Sequence, residues 1–443
     1  MISSFPILNE IIFIDEQNGN FSINRDELLT IGSYPINKAP SYSHNLYSTI
    51  VFCLEISNAC NLRCSYCFNQ NKDGTKMSFE TATKALDYLF ATFSMAQKYF
   101  IDVSGAGEPL LCMGLIEQLS RYAKKKSDEI DREVTLSLVC NGTLLSTTIV
   151  KRLQEMNILF GVSIDGCKNN HDTHRKDVDG NGTYDLIMKN VSNIKERKYL
   201  GCAVTISNDV FDINDAISDL KRFFETISIK PVRSSTSGID QRSLPMWKNE
   251  YDKLEKRLEK EVRNRDFSTL FCLLNGDDYF GKFIFRSFLN SKALTRCDCA
   301  SGRIAVSVDS QFFPCSALIN SEYPLGNLEK GFDSLMAQNI YGCQTERNKC
   351  QTCFFRFSCG GECIAENKEP NPVMCEFKKH LILLSMVFEE HCRYLPCESY
   401  QKIYDFCLEK KSRLIEDPKF RTFRRNYPGY TFSDARKIYD SMK

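Results

Sequence analysis

Cysteine spacing is the feature of this sequence that points most directly to chemistry. Cys60, Cys64 and Cys67 stand close together near the start of the chain. Three thiolates on one loop would ligate three irons of a four-iron cube and leave the fourth iron open to a small molecule. For this triplet alone, a zinc site or a set of inert buried thiols is the alternative, because short cysteine patterns also serve zinc.

A second set of eight cysteines lies between residues 297 and 375. Its members are Cys297, Cys299, Cys315, Cys350, Cys353, Cys359, Cys363 and Cys375. Eight thiolates are the number that two fully ligated four-iron clusters require, and their order fits paired zinc sites less well. Only one residue separates Cys297 from Cys299, which leaves open whether Cys297 is a ligand.

The overall composition excludes several other classes of protein. A content of 21 cysteines in 443 residues calls for a metal or redox explanation, because disulfide frameworks are typical of short secreted chains. The N-terminus has no basic region of a secretory signal, and no apolar run is long enough for a membrane span. A net charge of +1 provides no global field for nucleic acid or an anionic membrane. We therefore expect a cytoplasmic protein that binds neither nucleic acid nor a membrane.

The elements that must position the first triplet alternate between strands and helices. Strands are predicted at 51–57, 100–105, 134–140, 160–165, 202–207 and 227–232, with helices at 77–93, 114–126, 144–156, 184–197 and 213–225. About six such units predict an α/β fold with a partial (β/α)6 TIM-like barrel. Polar motifs just past the strands would then meet at the carboxyl edge of the sheet.

The same pattern predicts five segments. They are an N-terminal extension (1–49) with a hairpin and a brief helix, a partial barrel (50–240), linking helices (241–290), a cysteine-rich domain (291–380) and a helical tail (381–443). The cysteine-rich segment has few long apolar helices, so bound metal would supply part of its folding energy.

The sequence CNLRCSYC at 60–67 resembles the cysteine motif of radical S-adenosylmethionine (SAM) enzymes, and the resemblance extends from about residue 50 to residue 375. It implies that the amino and carboxylate groups of SAM chelate the open iron and that Tyr66 lies beside the adenine. In this family a reduced cluster passes one electron to SAM, which gives methionine and a 5′-deoxyadenosyl radical that abstracts hydrogen from a substrate.

Three further segments resemble motifs of the same family. SGAGEPLL (104–111) is similar to its Gly-Gly-Glu-Pro strand end, CNGTLL (140–145) to its Asn-Gly-Thr, and GVSIDGCKNNHDTHR (161–175) to its Ser-x-Asp-Gly…His-Asp…Arg segment. The resemblance implies a SAM site formed by Tyr66, Gly107, Glu108, Asn141, Ser163, Asp165 and Arg175. Within it, Glu108 would accept from the SAM ammonium group, and the Arg175 fork would hold the SAM carboxylate.

The second cysteine set resembles the SPASM extension of radical SAM proteins. That pattern implies a first auxiliary cluster on Cys297, Cys299, Cys315 and Cys363, and a second on Cys350, Cys353, Cys359 and Cys375. With the SAM-binding cluster, this makes three [4Fe-4S] clusters. Auxiliary clusters suit a net oxidation, because they offer the second electron a route out of the substrate.

The resemblance favours a peptide maturase that forms a thioether or C–C cross-link. The cofactors would be SAM and the three clusters, and the partners a peptide or protein substrate and a one-electron donor such as flavodoxin or ferredoxin. Sulfatase maturation by formylglycine formation comes second, because Ser316 stands where those enzymes usually carry an aspartate base. A non-catalytic iron–sulfur electron carrier is the alternative from another class. The sequence assigns no catalytic acid or base.

Overall fold

The computed structural model describes most of the chain. The described residues are 2–8, 10–15, 19–23, 47–69, 72–197, 200–232, 237–276, 278–293, 295–345, 348–361, 363–365, 371–415 and 442. The brief helix predicted in the N-terminal extension, and the end of the predicted helical tail, lie outside these residues.

The N-terminal residues form a small antiparallel sheet. Its strands are β1 (Ile2–Ile7), β2 (Glu10–Asp15) and β3 (Phe21–Ser22), in the order β1-β2-β3. The predicted hairpin is confirmed as β2 and β3, whereas β1 was not predicted. Gly19, in the turn between β2 and β3, has a φ of +69°, which glycine adopts without steric cost.

Six parallel strands follow in chain order and form the partial barrel. They are β4 (Thr49–Leu54), β5 (Lys98–Asp102), β6 (Glu133–Cys140), β7 (Leu159–Ser163), β8 (Leu200–Ile206) and β9 (Thr226–Pro231). Each is hydrogen-bonded to the next in parallel register. All six predicted strands and the predicted α/β class are confirmed.

Two short strands from the cysteine-rich region extend this sheet. β10 (Arg303–Val306) pairs in parallel with β4, and β11 (Phe312–Phe313) pairs antiparallel with β10. A separate pair, β12 (Gly326–Asn327) and β13 (Gly331–Phe332), lies nearby in sequence. The sheet order is therefore β11-β10-β4-β5-β6-β7-β8-β9. None of these four short strands was predicted from the sequence.

The described helices flank the barrel and fill the C-terminal part of the chain. Those between barrel strands are α1 (Phe79–Thr92), α2 (Met113–Ile130), α3 (Thr147–Glu155), α4 (Lys168–His174), α5 (Tyr184–Ser192) and α6 (Ile213–Leu220). The later ones are α7 (Leu244–Arg263), α8 (Ser268–Asn275), α9 (Tyr279–Phe288), α10 (Ser334–Thr345), α11 (Asn348–Gln351), α12 (Arg356–Cys359), α13 (Pro372–Arg393) and α14 (Cys397–Ile415). α13 crosses the predicted boundary at 380, and the five predicted segments stay a prediction.

Local sequence explains why individual helices begin where they do. The side chain of Ser78 accepts a hydrogen bond from the N–H of Thr81 and caps α1, as its Ser/Thr-type start predicted. α7 carries many charges but buries one face, which includes Trp247, Tyr251 and Leu258. Because this face is buried, α7 is part of the core and not only a charged helix that links two regions.

The main core lies between the parallel strands and the helices. Phe52 of β4 contacts Phe90 of α1, Phe93 just after α1 and Tyr99 of β5. The Phe52 and Phe90 ring centroids are 5.3 Å apart. All four side chains are buried. This packing fixes β4 and β5, and hence the loops that leave their carboxyl ends. Among the described residues, no helix combines the length and hydropathy that crossing a bilayer would require.

Candidate active site

The loop that leaves β4 carries the first three cysteines. We call residues 59–69 the first cysteine loop. Its backbone is tied to the segment after α4, because the N–H of Arg63 donates to the carbonyl of Lys176 at 2.7 Å and that of Ser65 to the carbonyl of His174 at 3.0 Å. The loop is therefore anchored to the element that follows the fourth barrel strand.

The three thiols of this loop suit an iron–sulfur cluster. All are half-buried. Lys72 Nζ lies 3.3 Å from Cys67 Sγ, and the N–H of Leu62 lies 3.4 Å from Cys60 Sγ. Burial raises the pKa of Cys64 to about 11, and a coordinated metal ion would favour its thiolate form. N–H and ammonium donors beside ligating sulfur are a usual outer shell of such clusters.

Gly107 lies where the β5 strand end touches the first cysteine loop. A Cβ atom on Gly107 would be 2.2 Å from the carbonyl oxygen of Ala59 and 2.6 Å from that of Ser57. The N–H of Glu108 donates to the same Ala59 oxygen at 2.7 Å. A glycine is therefore needed at position 107, because any side chain would overlap the backbone just before Cys60.

Glu108 joins two strand ends. It is buried, and its two carboxyl oxygens accept from the N–H groups of Leu110 at 3.0 Å and Asn141 at 2.7 Å. Burial raises the pKa of Glu108 to about 7. Both oxygens already accept hydrogen bonds from the backbone. The predicted contact of Glu108 with the SAM ammonium group stays a prediction.

Asn141 connects the end of β6 to the first cysteine loop. Its Nδ2 donates to Asn61 Oδ1 at 2.8 Å, and Asn61 Nδ2 donates to Thr143 Oγ1 at 2.8 Å. Asn141 Oδ1 accepts from the N–H of Thr143. Asn61 was not singled out in the sequence, because an asparagine between two cysteines gives no signal without its distant partners.

Asp165 and Arg175 form a buried ion pair at the end of β7. Arg175 Nε and NH2 lie 2.8 and 3.1 Å from the two oxygens of Asp165, and the Thr205 N–H also donates to Asp165. Tyr66 donates its hydroxyl to Asp165, and its ring faces the Arg175 guanidinium. Although burial favours the neutral acid, Arg175 holds the pKa of Asp165 below its ordinary value.

This ion pair bears on the predicted roles of its members. The structure brings three of the predicted SAM-site residues, Tyr66, Asp165 and Arg175, into contact. It also shows that the Nε–NH2 edge of Arg175 is used by Asp165. The assignment of the Arg175 fork to the SAM carboxylate is untested and stays a prediction. Ser163, the last residue of β7, is half-buried beside Ala203 of β8.

Two histidines contact the residues around this ion pair and the first cysteine loop. His171 Nδ1 lies 3.2 Å from the N–H of Asp165, and burial lowers the pKa of His171 to about 4. His174 Nδ1 lies 2.7 Å from Ser65 Oγ, and its Nε2 lies 2.9 Å from Asp209 Oδ2. His174 therefore links the first cysteine loop to the residues after β8.

Part of the second cysteine set is also brought together. The thiol of Cys299 is in hydrogen-bond contact with both Cys297 and Cys315. These are three of the four predicted ligands of the first auxiliary cluster, and the fourth, Cys363, is buried. A Cβ on Gly360 would lie 2.4 Å from the carbonyl oxygen of Thr295, so the segment around Cys363 packs beside residues just before Cys297.

Three of the ligands predicted for the second auxiliary cluster lie on short helices and turns, and the fourth, Cys375, lies in the first turn of α13. Cys350, Cys353, Cys359 and Cys375 are all half-buried. The N–H of Cys353 donates to the carbonyl of Cys350 at 3.2 Å, and Cys359 Sγ lies 3.4 Å from the carbonyl of Gly361. Their assignment to one cluster stays a prediction.

Comparison with known proteins agrees with this arrangement. Residues 54–224 match the radical SAM superfamily. A cysteine-type anaerobic sulfatase-maturating enzyme of Clostridium novyi is 24% identical over 336 residues, which cover 71% of this chain and 87% of that protein.

Two solved structures share the fold. Native anSMEcpe with bound AdoMet has a TM-score of 0.62 at 18% identity, covering 80% of this chain and 100% of that one. Streptococcus suis SuiB bound to precursor peptide SuiA has a TM-score of 0.52 at 13% identity, covering 82% and 96%. SAM and one [4Fe-4S] cluster are the cofactors that radical SAM membership implies, and an electron carrier without catalysis does not fit it. Residues 54–224, which include most of the partial barrel, therefore form a radical SAM domain, and a cysteine-rich region follows it in the chain.

Proposed function

We propose that this protein is a peptide maturase that introduces an oxidative cross-link, either a thioether or a C–C bond. The observation that carries the proposal is the combination of two cysteine groups, one on the first cysteine loop and one that brings Cys297, Cys299 and Cys315 into contact. The first would hold the cluster that binds SAM, and the second would hold an auxiliary cluster. When bound, the reduced cluster and SAM supply a radical able to remove hydrogen from an unactivated C–H bond.

The residues around the first cysteine loop have a positioning role in this proposal. Asn61, Asn141 and Glu108 connect the loop to the ends of β5 and β6, while His174 connects it to the residues after β8. Asp165 holds Arg175 and Tyr66 in one arrangement. Such prior ordering matters because a radical in a loosely held site would attack neighbouring groups or solvent.

Two auxiliary clusters, and hence three clusters in all, complete the proposal. The eight thiols between residues 297 and 375 would hold them in the two sets implied by the SPASM pattern. After hydrogen abstraction, a cross-link requires removal of one further electron from the substrate, and these clusters would accept it. An external one-electron donor of the flavodoxin or ferredoxin class would reduce the SAM-binding cluster. A cytoplasmic location is part of this proposal.

The substrate class is supported by one of the structural relatives. SuiB was solved with a precursor peptide, and its fold extends over most of this chain. Ser316 favours cross-linking over formylglycine formation. It begins a short 3-10 turn directly after Cys315, and its hydroxyl is a poor general base compared with a carboxylate.

Sulfatase maturation is the second candidate. It is favoured by the similarity to the Clostridium novyi sulfatase-maturating enzyme, which extends over most of both chains. In that case a carboxylate other than residue 316 would have to take the substrate proton.

Mass spectrometry distinguishes the two reactions. The anaerobically reconstituted enzyme is incubated with SAM, a reductant and either a sulfatase-motif peptide or a small precursor peptide encoded near its gene. A cross-link removes two hydrogens, so the precursor should lose about 2 Da per modification. Conversion of a sulfatase cysteine to the aldehyde, a loss of about 18 Da, would reject the cross-linking proposal in favour of the second candidate.

A further inference from the structure

A group of ionisable side chains lies away from the predicted cluster ligands, at the opposite end of α13 from Cys375. Glu255 and Glu259 are four residues apart and share one face of α7, and His391 lies in the last turn of α13. Glu10 begins β2 of the N-terminal sheet. α13 packs against both α7 and that sheet, which brings the four side chains together.

The distances place three potential ligand atoms around one point. His391 Nδ1 lies 3.9 Å from Glu255 Oε1 and 3.7 Å from Glu259 Oε2, and the three ligand atoms all lie within 4.8 Å of one another. Two ligand atoms of a tetrahedral zinc ion, each at about 2.1 Å from it, are about 3.4 Å apart. A shift of about 0.5 Å or less would bring His391 Nδ1 to that separation from each of the two carboxylate oxygens.

The burial of Glu255 distinguishes this group from an ordinary acidic cluster on the surface. Glu255 is 0% exposed, and among the described residues neither of its carboxylate oxygens has a hydrogen-bond partner. The Nδ1 atom of His391, which faces it, is also buried without a hydrogen bond to any described residue. Buried polar atoms are normally satisfied, so this arrangement calls for a bound group or a proton.

The other nitrogen of His391 also faces a carboxylate. Its Nε2 lies 3.7 Å from Glu10 Oε1, which is longer than a hydrogen bond. A carboxylate on that side favours the tautomer with the proton on Nε2, which leaves the Nδ1 lone pair directed at Glu255 and Glu259. Histidines that bind metal usually have such an outer carboxylate.

We propose that Glu255, Glu259 and His391 bind one divalent cation of the first transition row, with Glu10 as the outer partner of His391. Two carboxylates balance the charge of the ion, and an oxygen and imidazole ligand set suits Mn²⁺ or Zn²⁺ rather than an iron–sulfur cluster. Three protein ligands leave further coordination positions for water.

The site is separate from the cluster ligands. His391 follows Cys375 by sixteen positions in one continuous helix, which corresponds to about 24 Å along α13. An ion there would connect α7, α13 and the N-terminal sheet, three parts of the chain that are distant in sequence. The alternative occupant is a proton, because burial and the nearby charge of Glu259 raise the pKa of Glu255 to about 8.

Mn²⁺ is the appropriate probe because it prefers oxygen and nitrogen ligands and competes poorly for cysteine thiolates. The reconstituted holoprotein, with its clusters oxidised, is titrated with Mn²⁺ while electron paramagnetic resonance measures the free ion. One equivalent should bind, and Zn²⁺ should displace it. Glu255→Gln and His391→Ala should each weaken binding at least about 10-fold, and Glu10→Gln about 10-fold or more.

Matched variants test whether the effect belongs to this site. His380 lies on the same helix, and its Nε2 is 2.7 Å from Asp252 Oδ1 of α7, so His380→Ala breaks a comparable helix-to-helix contact outside the site. Glu261→Gln removes a carboxylate of α7 that pairs with Arg257. Both should bind Mn²⁺ as the unmodified protein does, with iron content unchanged in all variants.

Two results would overturn the proposal. One is a holoprotein that binds neither Mn²⁺ nor Zn²⁺ at the site, which would mean that Glu255 is simply protonated. The other is equal Mn²⁺ binding by Glu255→Gln, His391→Ala and the unmodified protein.

Discussion

Replacing Gly107 with alanine should disturb the first cysteine loop more than the added methyl group suggests. The new Cβ would lie 2.2 Å from the carbonyl oxygen of Ala59 and 2.6 Å from that of Ser57. Ordinary contact between heavy atoms begins near about 3.5 Å. Because both atoms belong to the backbone, no side-chain rotation relieves the overlap, and one of the two segments must move by roughly 1 Å.

The displacement passes directly to the cluster site, because Ala59 is followed by Cys60. It would also stretch the 2.7 Å hydrogen bond from the Glu108 N–H to Ala59. Overpacking of this kind costs about 1–3 kcal/mol, and a shift of about 1 Å in a catalytic site can reduce the rate about 100-fold. We therefore expect SAM cleavage by Gly107→Ala to fall by about two orders of magnitude.

The assay is the rate of 5′-deoxyadenosine formation by anaerobically reconstituted enzyme, measured together with iron content. Gly114→Ala is the matched control. Gly114 lies in the first turn of α2, where a Cβ would meet nothing within 4 Å, so that variant should cleave SAM normally and be slightly more stable, by about 0.5–1 kcal/mol. A Gly107→Ala enzyme with normal iron content and a normal rate would refute the argument from close backbone approach.

Three further predictions concern the same region. Changing all three cysteines of the first cysteine loop to alanine should lower the iron content from about twelve to about eight atoms per chain and abolish SAM cleavage, whereas retention of all iron would contradict the assignment. Arg175→Lys keeps the charge but loses the two-point contact with Asp165, so SAM affinity measured by equilibrium binding should fall, and an unchanged affinity would contradict a role for this pair in SAM binding. Because burial raises the pKa of Glu108 from 4.5 to about 7, its protonation stabilises the folded state at low pH and this contribution is lost as the pH rises through that window. The thermal midpoint of Glu108→Gln should therefore vary less between pH 4.5 and 7 than that of the unmodified protein, and equal slopes would show that Glu108 does not titrate there.

The sequence by itself predicted the cysteine loop and determined the main architecture. Cluster ligands on a loop must be close in sequence, so the spacing of Cys60, Cys64 and Cys67 is visible without a structure. Alternation of apolar strands and amphipathic helices reflects local geometry in the same way, which is why all six barrel strands were predicted correctly.

Other features depended on contacts between residues distant in sequence. β10 was missed because four residues in a loop-rich region become a strand only when β4 offers them an edge. The contact between Asp165 and the Arg175 fork is one that the sequence could not show, and the predicted role of that fork in SAM binding stays a prediction.

The group formed by Glu255, Glu259 and His391 had no sequence signal at all. Its members come from two helices more than a hundred residues apart, and each looks like an ordinary surface residue of a charged helix. Only the packing of α7 against α13 removes Glu255 from solvent and turns it toward His391. Burial and pairing are properties of the assembled fold, and for this reason the tertiary structure alone decided them.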